Sequence, residues 1–362
     1  MICIFNPEHD LCLANGNPNY LPPQSATDFA NDCKDIMQII YGADATCLCA
    51  KQLVREKTIH AKDTPDSPHT LVGSHGAYTS NLVKDKNKSI VPWGWDATIR
   101  HLLIKNGCPP ENLPTEQHIK HLRHLQHRTT AQQCLTWLSQ QTGSLYPVFA
   151  VQDEEQLMPL LKQYGTLALK APLSGSGRGL HRLEAGDWQT GRDNNDTTTR
   201  RDAMQNIIRK AIAQQGCIMA EPWLDIVKEF AMEFHIAENV EFVGYSLFTT
   251  KAGVYEGNIL LPDKEIELRI GQHIPVAQLK HTRLLLTYWI SRNILPFYRG
   301  PLGVDMFIHS SPRGLRLRPV SEINLRHTMG LVAHKYLETH PQDQGKRFLL
   351  KHNAQGYRLQ VE

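Results

Sequence analysis

Residues 227–236 read Val-Lys-Glu-Phe-Ala-Met-Glu-Phe-His-Ile, and the alternation is strict. Phe230, Met232, Phe234 and Ile236 fall on one face, with Glu229, Glu233 and His235 on the other. A period of two excludes a helix here and demands a half-buried strand with a polar face. Just ahead of it, residues 217–224 form a short apolar run that ends in Glu221-Pro222-Trp223. Pro222 lacks an N–H and fixes φ, so the chain bends there. Glu233 and His235 lie further along the polar face, where they either line a ligand or meet solvent.

Upstream, the apolar residues 166–169 end at Lys170, and Ala-Pro-Leu-Ser-Gly-Ser-Gly-Arg-Gly follows. Ser174, Gly175, Ser176, Gly177, Arg178 and Gly179 cannot pack a core. Glycine does let backbone N–H groups come close to an anion, and it tolerates positive φ. A lysine at a strand end beside such a loop suits the phosphates of a nucleotide. The loop is not a Walker A motif, because no Gly-Lys-Ser/Thr closes it. Its G-x-G-x-G spacing is also not the dinucleotide fingerprint. A linker or turn is the competing reading.

A second constellation lies about 130 residues later. Residues 303–307 and 320–326 read as strands joined by the turn Ser310-Ser311-Pro312-Arg313-Gly314, which predicts a hairpin. Alternate residues of a strand share a face, so Glu322 and Asn324 point together and Asp305 can join them. Two carboxylates and an amide oxygen form a hard, all-oxygen donor set suited to magnesium. Arg326 adds a fixed cation for phosphate or carboxylate. An ordinary solvated face of an antiparallel pair is the alternative.

A lysine with a glycine-rich loop, a long gap and then Asp…Glu-x-Asn resembles the ATP-grasp superfamily, over about residues 128–340. The resemblance implies an α/β and α+β chain: an N-terminal parallel-sheet α/β domain, then a two-subdomain ATP-grasp fold. It places the first domain at 1–112 and the grasp at 113–362, with a lid at about 145–222 and a metal-binding part at about 223–345. Lys170 then matches the lysine that reaches the phosphates, and residues 174–179 match the mobile loop. Glu221 and Trp223 match the hinge whose backbone binds the adenine edge, and Glu229 matches the ribose-binding glutamate. Asp305, Glu322 and Asn324 match the metal ligands. Where the family carries a first lysine, this chain has Arg128, a wider, forked donor. Arg326 and Arg299 would stabilise charge on the transferred group and its acceptor, with a plain surface arginine as the alternative for Arg299. The implied activity is ligation, carboxylate-amine or thiol type, using ATP and Mg²⁺, with two ions expected and Mn²⁺ able to substitute. A carboxylate would attack the γ-phosphate to form an acyl phosphate, and an amine or other nucleophile would displace phosphate. A small-molecule kinase of the same fold and a non-catalytic nucleotide-binding protein are the alternatives.

Composition agrees with a folded enzyme. The chain has 362 residues, 41% apolar and 21% charged, enough for two or three domains. A net charge of +3 argues for neither nucleic acid nor a membrane surface as partner. No apolar segment is long enough to span a bilayer. The eight cysteines show no disulfide framework, and Cys47-Leu48-Cys49 lacks a second pair for zinc. Reduced thiols in the cytoplasm are the simplest account. Small carboxylate and amine substrates are the expected partners, and a homodimer is compatible with the family.

The N-terminal part reads as strands alternating with helices, hence a parallel sheet. Residues 1–5 are a strand and 6–10 a loop. Ser25 with Asp28 caps a helix running to about Gly42. Strands are expected at 45–49, 70–72 and 89–91, and a helix at 96–105. Ligands of parallel sheets sit beyond strand C-termini, so Glu8, His9, Asp10 and Asn15 are substrate candidates, with turn formation as the alternative. His235 and Arg269 are further substrate candidates. His118, His121, His124 and His127 recur every three residues, interleaved with Lys120 and Arg123, and read as a connecting helix rather than a metal site. Residues 185–201 read as an exposed excursion of the lid.

Overall fold

The computed structural model describes residues 1–54, 83–85, 88–174, 179–188, 195–251 and 254–362. The strand expected at 70–72 and the loop residues Gly175, Ser176, Gly177 and Arg178 lie outside the described residues. The chain is mixed α/β, with a parallel sheet near the N-terminus and antiparallel sheets after it, as expected. It divides into two compact units. Unit 1 is Met1–Arg123 with Leu350–Val361, and unit 2 is His124–Leu349 with Glu362. Residues 113–123 and Leu350–Val361 thus fall in unit 1, although the sequence pattern groups both with the grasp region beyond residue 112.

In unit 1, strand β1 (Ile2–Phe5) runs parallel between β2 (Thr46–Cys49) and β3 (Ile90–Pro92). Every residue of β1 is buried, which explains its unbroken apolar run, because a central parallel strand is covered on both faces. Phe5 meets Phe29 and Trp93 edge-on, at 5.4 and 5.1 Å between ring centroids. The loop expected at 6–10 ends at residue 8, and residues 9–10 already belong to a helix, His9–Asn15. The helix expected from Ser25 to Gly42 is broken. Gln24–Asp32 starts at Pro23 with no side-chain cap, and a turn over residues 33–35 separates it from Ile36–Tyr41. Ala97–Lys105 is a helix capped by Asp96, whose carboxylate accepts from Ile99 N. The histidine run divides: His118, His121 and His124 lie on the helix Glu116–Leu125, and His127 caps the next helix, Arg128–Thr142. All eight cysteines are free thiols.

Unit 2 holds two antiparallel sheets. The smaller has β7 (Ile218–Pro222) between β4 (Phe149–Val151) and β5 (Thr166–Lys170), with β6 (Leu180–Glu184) beyond β5. Leu167, Leu169, Leu183, Ile218 and Ala220 pack with Leu157 and Leu161 of helix Leu157–Tyr164 and with Ile208 of helix Asn195–Gln215. The expected exposed excursion at 185–201 is therefore corrected at its two ends, residues 189–194 lying outside the described residues. Ala185–Trp188 is helical, Trp188 is buried in this core, and residues 195–201 open a 21-residue helix.

The larger sheet runs β12 (Arg316–Asn324), β11 (Gly300–His309), β8 (Ile226–Ile236), β9 (Val240–Lys251), β10 (Val254–Ile259), with Arg347–Leu349 paired on β10. Helices Asp263–Gly271, Val276–Asn293 and Met329–Thr339 pack against β9. The alternation in β8 does not make a half-buried strand. Residues 230–234 are buried on both faces, Glu233 included, while His235 stays exposed, as do Ile226 and Val227 at the start of the strand. The reason is Met329–Thr339: its N-terminus lies over the polar face, with Gly330 against the Glu233 carboxyl. Ser311–Gly314 closes the β11–β12 hairpin as expected. β12 advances four positions, from 318 to 322, while β11 advances two, from 305 to 307. Pro319 sits in that bulge, where no ladder N–H is needed.

Candidate functional site

Lys170 ends β5, and Glu221 lies near the end of β7. Ala168 stands opposite Glu221 in the ladder, so Lys170, two residues on, shares the face of Glu221. The Lys170 ammonium bonds to Glu221 Oε1. From β12 of the other sheet, Arg318 donates to Glu221 Oε2 at 2.6 Å. Glu221 is 6% exposed and Arg318 3%. Burial works against ionising Glu221, but Lys170 and Arg318 outweigh it and hold the carboxyl below its ordinary range. Glu221 thus brings a buried side chain to the place expected to serve as the hinge, where only backbone contacts were expected. Arg318 is a site residue that the sequence pattern misses.

Arg128 opens helix Arg128–Thr142 and joins the loop to the carboxylates. It donates to Ala171 O at 2.6 Å, Ser174 Oγ at 2.8 Å and Ser174 O at 3.2 Å, and to Glu322 Oε2 at 2.7 Å. The loop base is closed by Ala171 N donating to Gly179 O at 3.2 Å, and Gly179 takes φ +85°. Asp305 stands directly opposite Glu322 in the β11–β12 ladder. Asn324 Nδ2 donates to Asp305 Oδ2 at 3.1 Å, which leaves its amide oxygen free to act as a donor atom. Burial, then the facing Glu322, push the Asp305 carboxyl up to about 7. One strand over, Glu233 is 2% exposed, accepts from Thr328 Oγ1 at 2.8 Å and is raised by burial to about 8. Among the described residues no three His, Cys, Asp or Glu side chains alone form a metal-binding group. The donor set here is two carboxylates and an amide.

The remaining candidates divide. Glu229 is half-buried and accepts from Thr250 Oγ1. Trp223 is 41% exposed, with Arg182 stacked 5.2 Å over its ring. Arg326 donates to His327 O at 3.0 Å, two residues beyond Asn324. Arg299 is exposed and turns back onto the carbonyls of Leu295 and Tyr298. His235 is exposed on β8. Arg269 is exposed at the end of helix Asp263–Gly271, where its charge joins burial in lowering the Lys228 ammonium.

In unit 1, Glu8 and His9 are 4% and 0% exposed. His9 Nδ1 lies 3.1 Å from Asp96 Oδ2, and Asn6 Nδ2 donates to Gly94 O at 2.9 Å and to Asp96 at 3.2 Å. The His9 ring lies so close over Gly94 that a Cβ there would sit 2.6 Å from it. Glu8 Oε2 is buried without a partner, and burial lifts its carboxyl to about 8. Asp10 is half-buried in the first turn of its helix. Asn15 is exposed, and its side chain accepts from Asn17 N at 3.2 Å, which is turn formation.

Among solved structures, the chain is similar to N5-carboxyaminoimidazole synthetase from Staphylococcus aureus complexed with ADP. The identity is 15% and the TM-score 0.46, covering 93% of this chain and 76% of that one. It is also similar to the biotin carboxylase domain of the Hydrogenobacter thermophilus 2-oxoglutarate carboxylase with MgADP (12%, TM-score 0.47, 93% and 68%). A third is D-alanyl-alanine synthetase A from Vibrio cholerae (13%, TM-score 0.37, 67% and 67%). No family model matches the chain. No curated protein matches it. Among the described residues no helix is long and apolar enough to cross a membrane.

Proposed function

We propose that unit 2 is an ATP-grasp-type nucleotide and metal site, and that the chain ligates a small carboxylate to an amine or other nucleophile. One observation carries the reading. Arg128 bonds at once to Ser174 of the phosphate-type loop and to Glu322 of the carboxylate set, 194 residues away in sequence. Cations for phosphate and oxygen donors for a metal thereby meet in one place. Lys170, Arg128 and the loop amides would hold the phosphates, and the hinge at Glu221 and Trp223 would take the base.

The donors fit a divalent cation. Asp305 and Glu322 face each other, and their repulsion contributes to the raised Asp305 carboxyl. A cation held by these two and Asn324 Oδ1 relieves that repulsion. Asp305, Glu322 and Asn324 would hold Mg²⁺, as two ions in this reading or replaced by Mn²⁺, which would supply positive charge toward phosphoryl oxygens. Arg326 is the cation nearest in sequence to this set and would steady the acceptor carboxylate. Most of the rate then comes from positioning and charge neutralisation. The reaction forms an acyl phosphate, and the nucleophile displaces its phosphate. The kinase alternative needs a base at the acceptor, and its candidate, His235, is exposed.

The test is phosphate release from ATP and Mg²⁺ with pools of small acids and amines. Release that needs both an acid and an amine supports ligation. Asp305→Asn and Glu322→Gln should each lower it by at least about 100-fold. Full activity in either would remove the metal assignment, and stable transfer to an alcohol would replace the ligase reading.

A further inference from the structure

Arg318 is out of character with its strand. Leu317, Pro319 and Val320 around it are buried and apolar, and Arg318 is 3% exposed. A buried guanidinium is costly unless paired, and an apolar side chain of similar volume is often as stable. Here the pairing is partial: the guanidinium donates to Glu221, while Arg318 Nε is buried without a partner. Packing alone does not account for an arginine at this position. Its one bond goes to the carboxylate that also holds Lys170.

We propose that Arg318 is a positioning residue of the nucleotide site. By engaging one oxygen of Glu221 it divides that carboxylate's charge, so that Lys170 is aligned by Glu221 without being captured by it. The two cations approach from different sheets, Lys170 from β5 and Arg318 from β12. Remove Arg318, and the whole charge of Glu221 falls on Lys170, in a setting where ion pairs are barely screened. The ammonium then stays on Glu221 rather than turning to a phosphate. β12 also carries Glu322 and Asn324, so the strand that bears the oxygen donors also sets the state of the lysine.

This inference rests on the nucleotide reading above, and the experiment separates the two. MgADP binding is measured by calorimetry on the full chain for wild type, Arg318→Met, Glu221→Gln and the double variant. Wild type without affinity for MgADP would sink the nucleotide reading. Given binding, Arg318→Met is expected to weaken it about tenfold or more. The double variant should bind more tightly than Arg318→Met, because Glu221→Gln leaves no charge to capture Lys170. With ATP in a turnover assay, the loss should appear in KM, with kcat moving less than about threefold. Equal binding by wild type and Arg318→Met overturns the inference, and so does a double variant as weak as Arg318→Met. Should Arg318→Met unfold, Glu221→Gln and the double variant decide. Equal affinity supports the proposal, and a loss on adding Arg318→Met overturns it.

Discussion

Glu233→Gln should change how stability depends on pH, whatever the protein catalyses. Glu233 is 2% exposed, and burial raises its carboxyl from 4.5 to about 8. Below the lower value the carboxyl is neutral in the folded and the unfolded chain, and ionisation costs nothing. Between the two values the unfolded chain releases its proton while the folded chain keeps it, so stability falls as pH rises. Above the upper value the full cost is present. Each factor of ten in proton affinity corresponds to about 1.4 kcal/mol. The span from 4.5 to about 8 therefore sets a ceiling of roughly 4 to 5 kcal/mol. Glutamine keeps the shape and still accepts from Thr328 Oγ1, but it does not ionise. The assay is urea denaturation of both chains at about pH 5 and about pH 8.5, with wild type expected to lose roughly 3 to 5 kcal/mol more than the variant. Running the two side by side cancels other titrating groups, Glu8 among them. If the two chains differ by less than about 0.5 kcal/mol across that range, the burial argument for Glu233 is wrong.

Gly330→Ala should destabilise unit 2 by about 1 to 3 kcal/mol, because its Cβ would strike Glu233 Oε1 and Ser246 Oγ; an unchanged urea midpoint would show that this cradle is loose. In unit 1, Asp96→Ala removes the cap on Ile99 N and the partner of Asn6 and His9. It should cost about 2 kcal/mol or more in thermal melting, and a loss below about 0.5 kcal/mol would contradict the cluster's structural weight.

Local pattern made much of the larger sheet legible. The period of two in residues 227–236 and the Ser-Pro-Gly turn at 310–314 predict β8 and the β11–β12 hairpin, and parity brings Asp305, Glu322 and Asn324 together. Parity does not show what covers a face. Glu233 and His235 share one, yet the helix beginning at Met329 seals the first and leaves the second exposed, a contact between segments some 95 residues apart. Arg318 was hidden for a related reason. Read locally, Arg316-Leu317-Arg318-Pro319 is a basic stretch beside a turn, and only the meeting of two sheets gives the second arginine its carboxylate. The signal available in sequence was a charge sharing parity with Glu322 and Asn324. In the described parts of 185–201, Gly, Asn, Asp and Thr argue against a helix on propensity, and the helices Ala185–Trp188 and Asn195–Gln215 are held instead by the packing of Ala185, Trp188 and Ile208.

The return of Leu350–Val361 to unit 1 sets an order of events during synthesis. The hairpin of β13 (Arg347–Asn353) and β14 (Gly356–Val361) supplies Tyr357, whose ring meets Phe29 at 5.1 Å and whose N–H donates to Asp32 at 3.1 Å. A ribosome adds about 5 to 20 residues per second, so the first 123 residues wait for Leu350–Val361 while His124–Leu349 emerges. Every described strand pairing of unit 2 is in hand before the last of unit 1, so the part of the chain made first is the part completed last.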